Sequence, residues 1–579
     1  MTERTDSPKR RPVLLVIGWD GATPDLLERF VAAGRLPTVK RLIDRGSFRR
    51  LRSTIPPVTA CAWSSFLSGK NPGKHGLYDF VTPRQGTYQF DYTHGGYRRD
   101  RGTGLLAQLN GAGLKVGCVN VPMTYPPRAV DGFMVSGLDA PDEKSGIAHP
   151  AALFDEVQHE TGGYRIDNRH LSHMRTDDDR RGALAEFMRI ETLRTDVTLA
   201  MMRRRPVDVL LIVYNATDQV QHHFWHLMDA GHPQYPGAHA PEVRAFHNAI
   251  EEVYAHCDRE LARLLEAFPE ANTMLMSDHG AGPTSGPRVR LNNLLAEAGL
   301  LTWGKARGGL KADMVCKVDG WLRRTLSAKQ KAALARLLPS GRTAIEALGL
   351  PPIDWNRTVA FAYEGFTLSP CVWINRTDLF PQGIVGPGAE YGRACTRVIE
   401  ALTSVKDPRT GEPVIPRVYR AREVYRGDYV HKAPDLILDW WEGRTFTITK
   451  SHPKFAGEPA VFYPGPTALP GYDITGIHRR DGILVAAGPQ LKALGVGPQP
   501  PAELIDIAPT TLALLGLPAG KDIDGRILDD LLAEGGAVVP PAPAVSRAGE
   551  PDDEPRLYSA QERTLIEQRL AGLGYLEER

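Results

Sequence analysis

Aspartate and histidine recur in four separated segments of this 579-residue chain, beside glycines and at spacings that suit a metal ion. In Gly18-Trp19-Asp20-Gly21 the glycines let backbone approach an ion while the Asp20 carboxylate projects from the turn. Asp218-Gln219-Val220-Gln221-His222 has the i, i+4 spacing that sets a carboxylate and an imidazole on one side of a helical turn. Ser277-Asp278-His279-Gly280 places two ligand types side by side, and both reach metals if the chain turns sharply at Gly280. The fourth segment is Gly476-Ile477-His478-Arg479. Carboxylate and neutral imidazole are donors that zinc and manganese accept. Singly, Asp20 reads equally well as a helix cap and His478 as a structural histidine. Together the segments read as one set. His223 and His226 read as outer or solvated residues.

Covalent chemistry at such a metal set also needs a nucleophile. Thr59, in Pro56-Pro57-Val58-Thr59-Ala60-Cys61, opens a stretch whose pattern predicts a helix. A helix N-terminus favours a bound phosphate and an ionising hydroxyl. A Thr at that place also suits an N-cap, and the two roles are compatible.

Most of these residues follow buried-strand patterns. Val13 to Ile17 runs into the Asp20 turn, Val207 to Tyr214 into Asn215 to Asp218, and Thr273 to Met276 into Asp278, while Val116 to Val121 carries Asn120. Strands alternating with helical stretches predict an α/β fold, doubly wound, with a largely parallel central sheet flanked by helices. Ligands in such sheets gather beyond the carboxyl ends of the strands. We read residues 1–302 as the first part of this core and 303–450 as an inserted cap subdomain. The cap opens with the basic, helix-prone Lys305 to Leu350 and continues as a Pro/Gly-punctuated β-like stretch to Ile448. Residues 451–534 form the second part of the core, with a strand at Gly482 to Ala487 and a strand-to-helix segment at Ile505 to Leu517. Residues 535–579 hold a Pro/Ala/acid-rich linker, Gly535 to Pro555, and a short amphipathic helix, Ala560 to Leu570.

Composition narrows the partners. Lys plus Arg number 70 and Asp plus Glu 68, so no overall field attracts a nucleic-acid polymer or an anionic membrane. A small-molecule substrate is expected, and the oligomeric state is left open. The polar start, Met1 to Arg11, and the short apolar run after it predict neither a signal peptide nor a membrane span, hence a cytoplasmic protein. The six cysteines form no CxxC pair, which argues against a disulfide framework or a thiolate zinc site.

The whole set of motifs resembles the alkaline phosphatase superfamily, in particular its type I phosphodiesterase/nucleotide pyrophosphatase-like bacterial branch of phosphohydrolases and phosphomutases. The resemblance takes in Asp20-Gly21, the Thr59 segment with Ser68-Gly69-Lys70-Asn71-Pro72-Gly73-Lys74-His75-Gly76, Asp218 to His222, Asp278-His279-Gly280 and Gly476 to His478. Asp506 to Thr511 and Asp524-Gly525 belong to it as well. It implies two divalent metal ions, usually zinc and sometimes manganese. Asp218, His222 and His478 would hold one, and Asp20, Asp278, His279 and the Thr59 oxygen the other.

That resemblance implies attack by Thr59 on phosphorus, a phospho-threonine intermediate, and hydrolysis of it by water. His75 is left to the fold of the Gly73 to Gly76 turn. Two divalent cations and three aspartates leave one positive charge, which a Thr59 alkoxide neutralises. The balance suits a phosphodiester monoanion, unless Lys70, Lys74 or Arg479 adds charge for a monoester dianion. Nucleotide pyrophosphatases carry an Asn shortly after their His-Gly pair, whereas this chain reads His75-Gly76-Leu77-Tyr78-Asp79-Phe80. Asn120 is an alternative oxyanion donor, or simply a turn residue. Phosphomonoesterase and phosphomutase activities remain alternatives, as does a silent binding protein of the same fold. A sulfatase is disfavoured, because Cys61 does not sit in a Cys-x-Pro-x-Arg setting.

Overall fold

The computed structural model describes residues 13–92, 103–168, 174, 176–284, 286–304, 353–364, 370–442, 445–463, 474–497, 499–533 and 558–572. In chain order, the elements that bear on the site are β1 (Leu14–Trp19), α1 (Pro24–Ala32), β2 (Ser47–Arg52), α2 (Thr59–Ser68), α3 (Pro72–His75), β3 (Val116–Val119), β4 (Gly132–Val135), α4 (Asp177–Arg204), β5 (Val209–Tyr214), α5 (Ala216–Met228), α6 (Ala249–Ala267), β6 (Asn272–Met276), β7 (Gly280–Pro283), β8 (Gly476–Arg479), β9 (Asp481–Ala487), α7 (Ile507–Leu514) and α8 (Ala560–Gly572).

The central sheet has ten strands, ordered β2-β9-β6-β1-β5-β3-β4 between the short edge pieces Gly495–Val496 and Ala148–His149, with Ala502–Glu503 also beside β2. β1 lies parallel to β5 and β6, and β3 parallel to β5 and β4, whereas β9 runs antiparallel to both β6 and β2. Strands β1, β5 and β6 are buried along their whole length, as expected where helices cover both faces of a sheet. The period of two sorts their side chains: Leu15, Ile17 and Trp19 join one hydrophobic cluster, Leu14 and Val16 the other.

The predicted fold class therefore holds, and two details differ. Ser47-Phe-Arg-Arg-Leu-Arg52 was not expected as a strand, yet β2 forms because Phe48 and Leu51 are buried and the buried Arg49 pairs with Asp530 at 2.8 Å. The segment Ile505 to Leu517 is not strand-to-helix. A 3-10 turn, Leu504–Asp506, leads straight into α7, because Asp506 accepts from the backbone amides of Glu503 and Arg526 and bends the chain there.

Within 303–450 the described residues form a separate four-stranded antiparallel sheet, Ala360–Ala362, Cys371–Ile374, Leu436–Leu438 and Val418–Arg420, with helix Ala389–Thr403 against it. The basic stretch from Lys305 to Leu350 and the linker Gly535 to Pro555 lie outside the described residues. The C-terminal α8 buries Ile566 and Leu570 and sends Arg569 to Asp167 (2.8 Å) and to the carbonyls of Leu138, Ala140 and Pro141. No described helix is long and apolar enough to cross a membrane.

Candidate active site

All four ligand segments meet where the parallel strands end. Asp20 follows β1, and α5 starts right after β5, presenting Asp218 and His222 one turn apart. Asp278 and His279 link β6 to β7. β7 then pairs antiparallel with β8, setting Ala281 opposite His478. This two-stranded ribbon is what gathers a histidine from so far along the chain. The rings of His279 and His478 stack with centroids 3.6 Å apart. Gly21 is required by its surroundings: its φ is +64°, and a Cβ there would sit 2.7 Å from Asp218 Oδ1.

Each of the three histidines is oriented by a backbone carbonyl. Nδ1 lies 2.7 Å from Gly476 O in His222, 2.8 Å from Pro57 O in His478 and 3.0 Å from Gly280 O in His279. A carbonyl only accepts, so Nδ1 carries a proton in each ring and Nε2 faces inward. His222 Nε2 stands 3.1 Å from His478 Nε2 and 3.2 Å from Asp218 Oδ1, and His478 Nε2 is 3.5 Å from the same oxygen. His279 Nε2 lies 3.6 Å from Asp20 Oδ1 and 3.4 Å from Asp278 Oδ2. Asp20 Oδ1, Asp218 Oδ1 and Asp278 Oδ2 are buried without a hydrogen-bond donor. Inward-facing imidazole nitrogens and donorless carboxylate oxygens converging in a dry site are what a cation satisfies.

Two ligand groups result: Asp218 with His222 and His478, and Asp20 with Asp218 and His279, the donor atoms of each within 4.8 Å of one another. Asp218 thus stands between the two. Asp278 borders the second group and accepts from Gly21 N at 3.2 Å through its other oxygen. The electrostatics agree with this crowding. Burial, then Asp278 and Asp218, push the Asp20 carboxyl well above its usual range. Burial and Asp218 push Asp278 up to about 8. Burial would raise Asp218 too, but His222, His478 and His279 outweigh it and hold it below the carboxylate range. Burial and His279 hold His478 well below the usual imidazole value, whereas Asp218 outweighs burial at His222 and holds it above that value. Three carboxylates cannot share such a site in ionised form unless positive charge joins them.

Thr59 is buried and is the first residue of α2; Val58 takes the N-cap position, so Thr59 is not the cap. Its Oγ1 lies 3.2 Å from His279 Nε2. Two contacts knit α2 to the ligands. One is Pro57 O with His478; the other is Trp63 Nε1, one turn after Thr59, which donates to Asp20 Oδ2 at 3.1 Å. Trp63 was missed in the sequence, although its i+4 spacing from Thr59 was visible. Thr217 and Gln221 were missed likewise: Thr217 Oγ1 donates to Asp20 O (2.6 Å) and Gln221 Nε2 to Gly21 O (2.9 Å).

Asn120 takes the turn role. Its φ is +58°, and its amide group donates to Val213 O (2.9 Å) and Asn215 Oδ1 (3.1 Å), contacts that engage it with the sheet rim. His75 accepts from Leu77 N and contacts Ser65 Oγ, fixing its turn as expected. Lys70 pairs with Asp522, Lys74 with Asp522 and Asp524, and the Arg479 guanidinium donates to the carbonyls of His478 and Pro283. His226 belongs to neither ligand group, and burial together with His232 pulls it down to about 3.

The family model for type I phosphodiesterase/nucleotide pyrophosphatase matches residues 14–348, more than half of the chain. No curated protein matches. Among solved structures, phosphonoacetate hydrolase from Sinorhizobium meliloti 1021 in complex with phosphonoformate is similar with a TM-score of 0.51 at 14% identity, covering 86% of this chain and 95% of that one. The same hydrolase with phosphonoacetate gives 0.50 at 14% identity over the same shares. Human ectonucleotide pyrophosphatase/phosphodiesterase 5 gives 0.47 at 12% identity, covering 90% of this chain and 99% of that one. With an alkaline phosphatase-like fold and buried Asp/His groups that could hold a metal, the chain belongs to the type I phosphodiesterase/nucleotide pyrophosphatase family and is a hydrolase of phosphate esters.

Proposed function

We propose that the protein hydrolyses small-molecule phosphodiesters through a phospho-threonine intermediate on Thr59, at a centre of two divalent ions, zinc or manganese. The observation that carries this reading is Thr59 Oγ1 at a helix start, 3.2 Å from a ligand histidine, beside two groups of buried Asp and His side chains whose carboxylates include oxygens without a hydrogen-bond donor. Asp218, His222 and His478 would hold one ion; Asp20, Asp278, His279 and Thr59 would hold the other. When bound, such ions lower the pKa of a hydroxyl and neutralise charge on the attacking and leaving oxygens.

The chain's own groups do the rest. Thr59 Oγ1 attacks phosphorus in line, the leaving alkoxide departs on the far side, and the phosphoryl group stays on Thr59. Water entering from the vacated side then cleaves that ester. The start of α2, where Thr59 would carry the phosphoryl group, offers backbone amides and the positive end of a helix that would take the oxyanion role.

Substrate charge follows from the cations. Lys70 and Lys74, two of the three cations that could have balanced a dianion, are neutralised by Asp522 and Asp524. The residual charge of the site therefore favours a diester monoanion. Buried free thiols at Cys61, Cys118, Cys257 and Cys395 support a reducing compartment, and we place the activity in the cytoplasm. The test is turnover of bis(p-nitrophenyl) phosphate against p-nitrophenyl phosphate with zinc and with manganese. A higher kcat/KM for the diester is expected, and clear preference for the monoester overturns the diester reading.

A further inference from the structure

We infer that Glu191 is a positioning residue for the metal centre and acts through α5; the inference rests on the metal-dependent reading above. Glu191 is a residue of α4, remote in sequence from every ligand segment. Its Oε1 accepts from the backbone amides of Asn215 and Ala216, both at 2.8 Å, where α5 begins. A helix start leaves such amides without intrahelical partners. The N-cap residue Asn215 does not serve them with its own side chain. The cap of α5 is thus supplied by another helix, which locks the position of one against the other.

The Glu191 carboxylate is 1% exposed and is paired with Arg194, 0% exposed, one turn along α4. Arg194 in turn donates to Ile166 O at 2.8 Å. A buried ion pair is a poor source of stability, since apolar replacements of similar size often do as well. What this pair supplies is direction: Arg194 fixes one carboxylate oxygen so that the other stays aimed at the start of α5.

α5 in turn sets the register of the ligand segments. Asp218 and His222 lie on one stripe of it. On the neighbouring stripe, Thr217 and Gln221 hold the carbonyls of Asp20 and Gly21. Tyr254 of α6 ties these together, donating to Gln221 Oε1 at 3.1 Å while accepting from Thr23 N at 3.2 Å. The His222 carbonyl accepts from Thr475 N at 2.7 Å, just before β8 carries in His478. Gly21 N donates to Asp278. A small slip or rotation of α5 therefore moves donors of both ligand groups at once, and Glu191 is what pins its start.

The test compares two double variants of the full-length chain that both remove the buried guanidinium. E191Q/R194M keeps an oxygen acceptor at the helix start; E191L/R194M removes it. Zinc affinity of the metal-stripped proteins is read by competition with a chromophoric chelator, with thermal melts to confirm folding. E191L/R194M is expected to bind zinc at least about tenfold more weakly than E191Q/R194M, the size typical of losing an outer partner of a metal site. Equal affinity in the two folded variants overturns the inference. If E191L/R194M does not fold, Glu191→Asp keeps the charge but withdraws the oxygen by one methylene. Weaker zinc binding by that variant than by the wild-type chain supports the inference, and unchanged binding overturns it. A wild-type chain that binds neither zinc nor manganese overturns the metal-dependent reading itself.

Discussion

Replacing Gly21 by alanine tests how closely the Asp20 turn and α5 must fit, and Gly34→Ala supplies the matched control. Both glycines have left-handed backbones, φ +64° and +72°, and an alanine in that region costs about 1–2 kcal/mol. The surroundings differ. A Cβ at Gly34 meets nothing within 4 Å, whereas a Cβ at Gly21 would lie 2.7 Å from Asp218 Oδ1 and 3.2 Å from Asp218 Cα. Comfortable contact needs about 3.5 Å, so the Asp218 carboxylate must retreat by roughly 0.8 Å. Asp218 stands in both ligand groups, and misplacement of about 1 Å at a reacting centre costs on the order of 100-fold in rate. Both variants should melt a few degrees lower than the wild-type chain. Gly21→Ala alone should lose about 100-fold in kcat and about tenfold in zinc affinity. Diester turnover and chelator competition on the two purified variants measure this. If Gly21→Ala matches Gly34→Ala in both, the close approach to Asp218 has no catalytic consequence and the reasoning fails.

Trp63→Phe keeps most of the ring volume but removes the donor to Asp20 Oδ2; about a tenfold loss of zinc affinity is expected with little change in fold, checked by chelator competition and circular dichroism. Arg569→Met leaves the buried Asp167 carboxylate without its cation and should cost about 3–5 kcal/mol in a denaturant melt, with turnover per folded molecule unchanged. In the metal-free site Asp278 is pushed up to about 8, first by burial and then by Asp218, so below that pH zinc must displace its proton. Zinc affinity should therefore rise with pH through about 8. Affinities measured from acid to alkaline pH check this, and a flat profile contradicts the proton displacement.

The sheet was legible because β1, β5 and β6 are continuous apolar runs that each end in an Asp-containing or polar turn, and burial on both faces leaves no other pattern. β2 was hidden because its charged positions Arg49, Arg50 and Arg52 mask a two-residue alternation whose buried cation finds Asp530 only in the folded chain. The ligand residues could be read from their types and spacing, and the structure brings Asp20, Asp218, His222, Asp278, His279 and His478 together beside Thr59. What spacing cannot reveal is which residue lies between the two groups. Asp218 holds that place because α5 points it inward beneath Gly21. For Asn120 the sequence left two roles open, oxyanion donor or turn residue, because its contacts to Val213 O and Asn215 Oδ1 come from chain that is distant in sequence. Glu191 carried no local signal at all, since its partners are backbone amides of a different helix.

The central claim is that Thr59 attacks phosphorus at a metal centre it does not build alone. The direct measurement is diester turnover and metal content of Thr59→Ala beside the wild-type chain, after reloading with zinc or manganese. Asp20, Asp218, His222, Asp278, His279 and His478 remain in that variant, so it should keep bound metal while turnover falls by at least about a thousandfold, the loss expected when an activated nucleophile is removed. A Thr59→Ala protein that retains both metal and near-wild-type turnover would contradict the account.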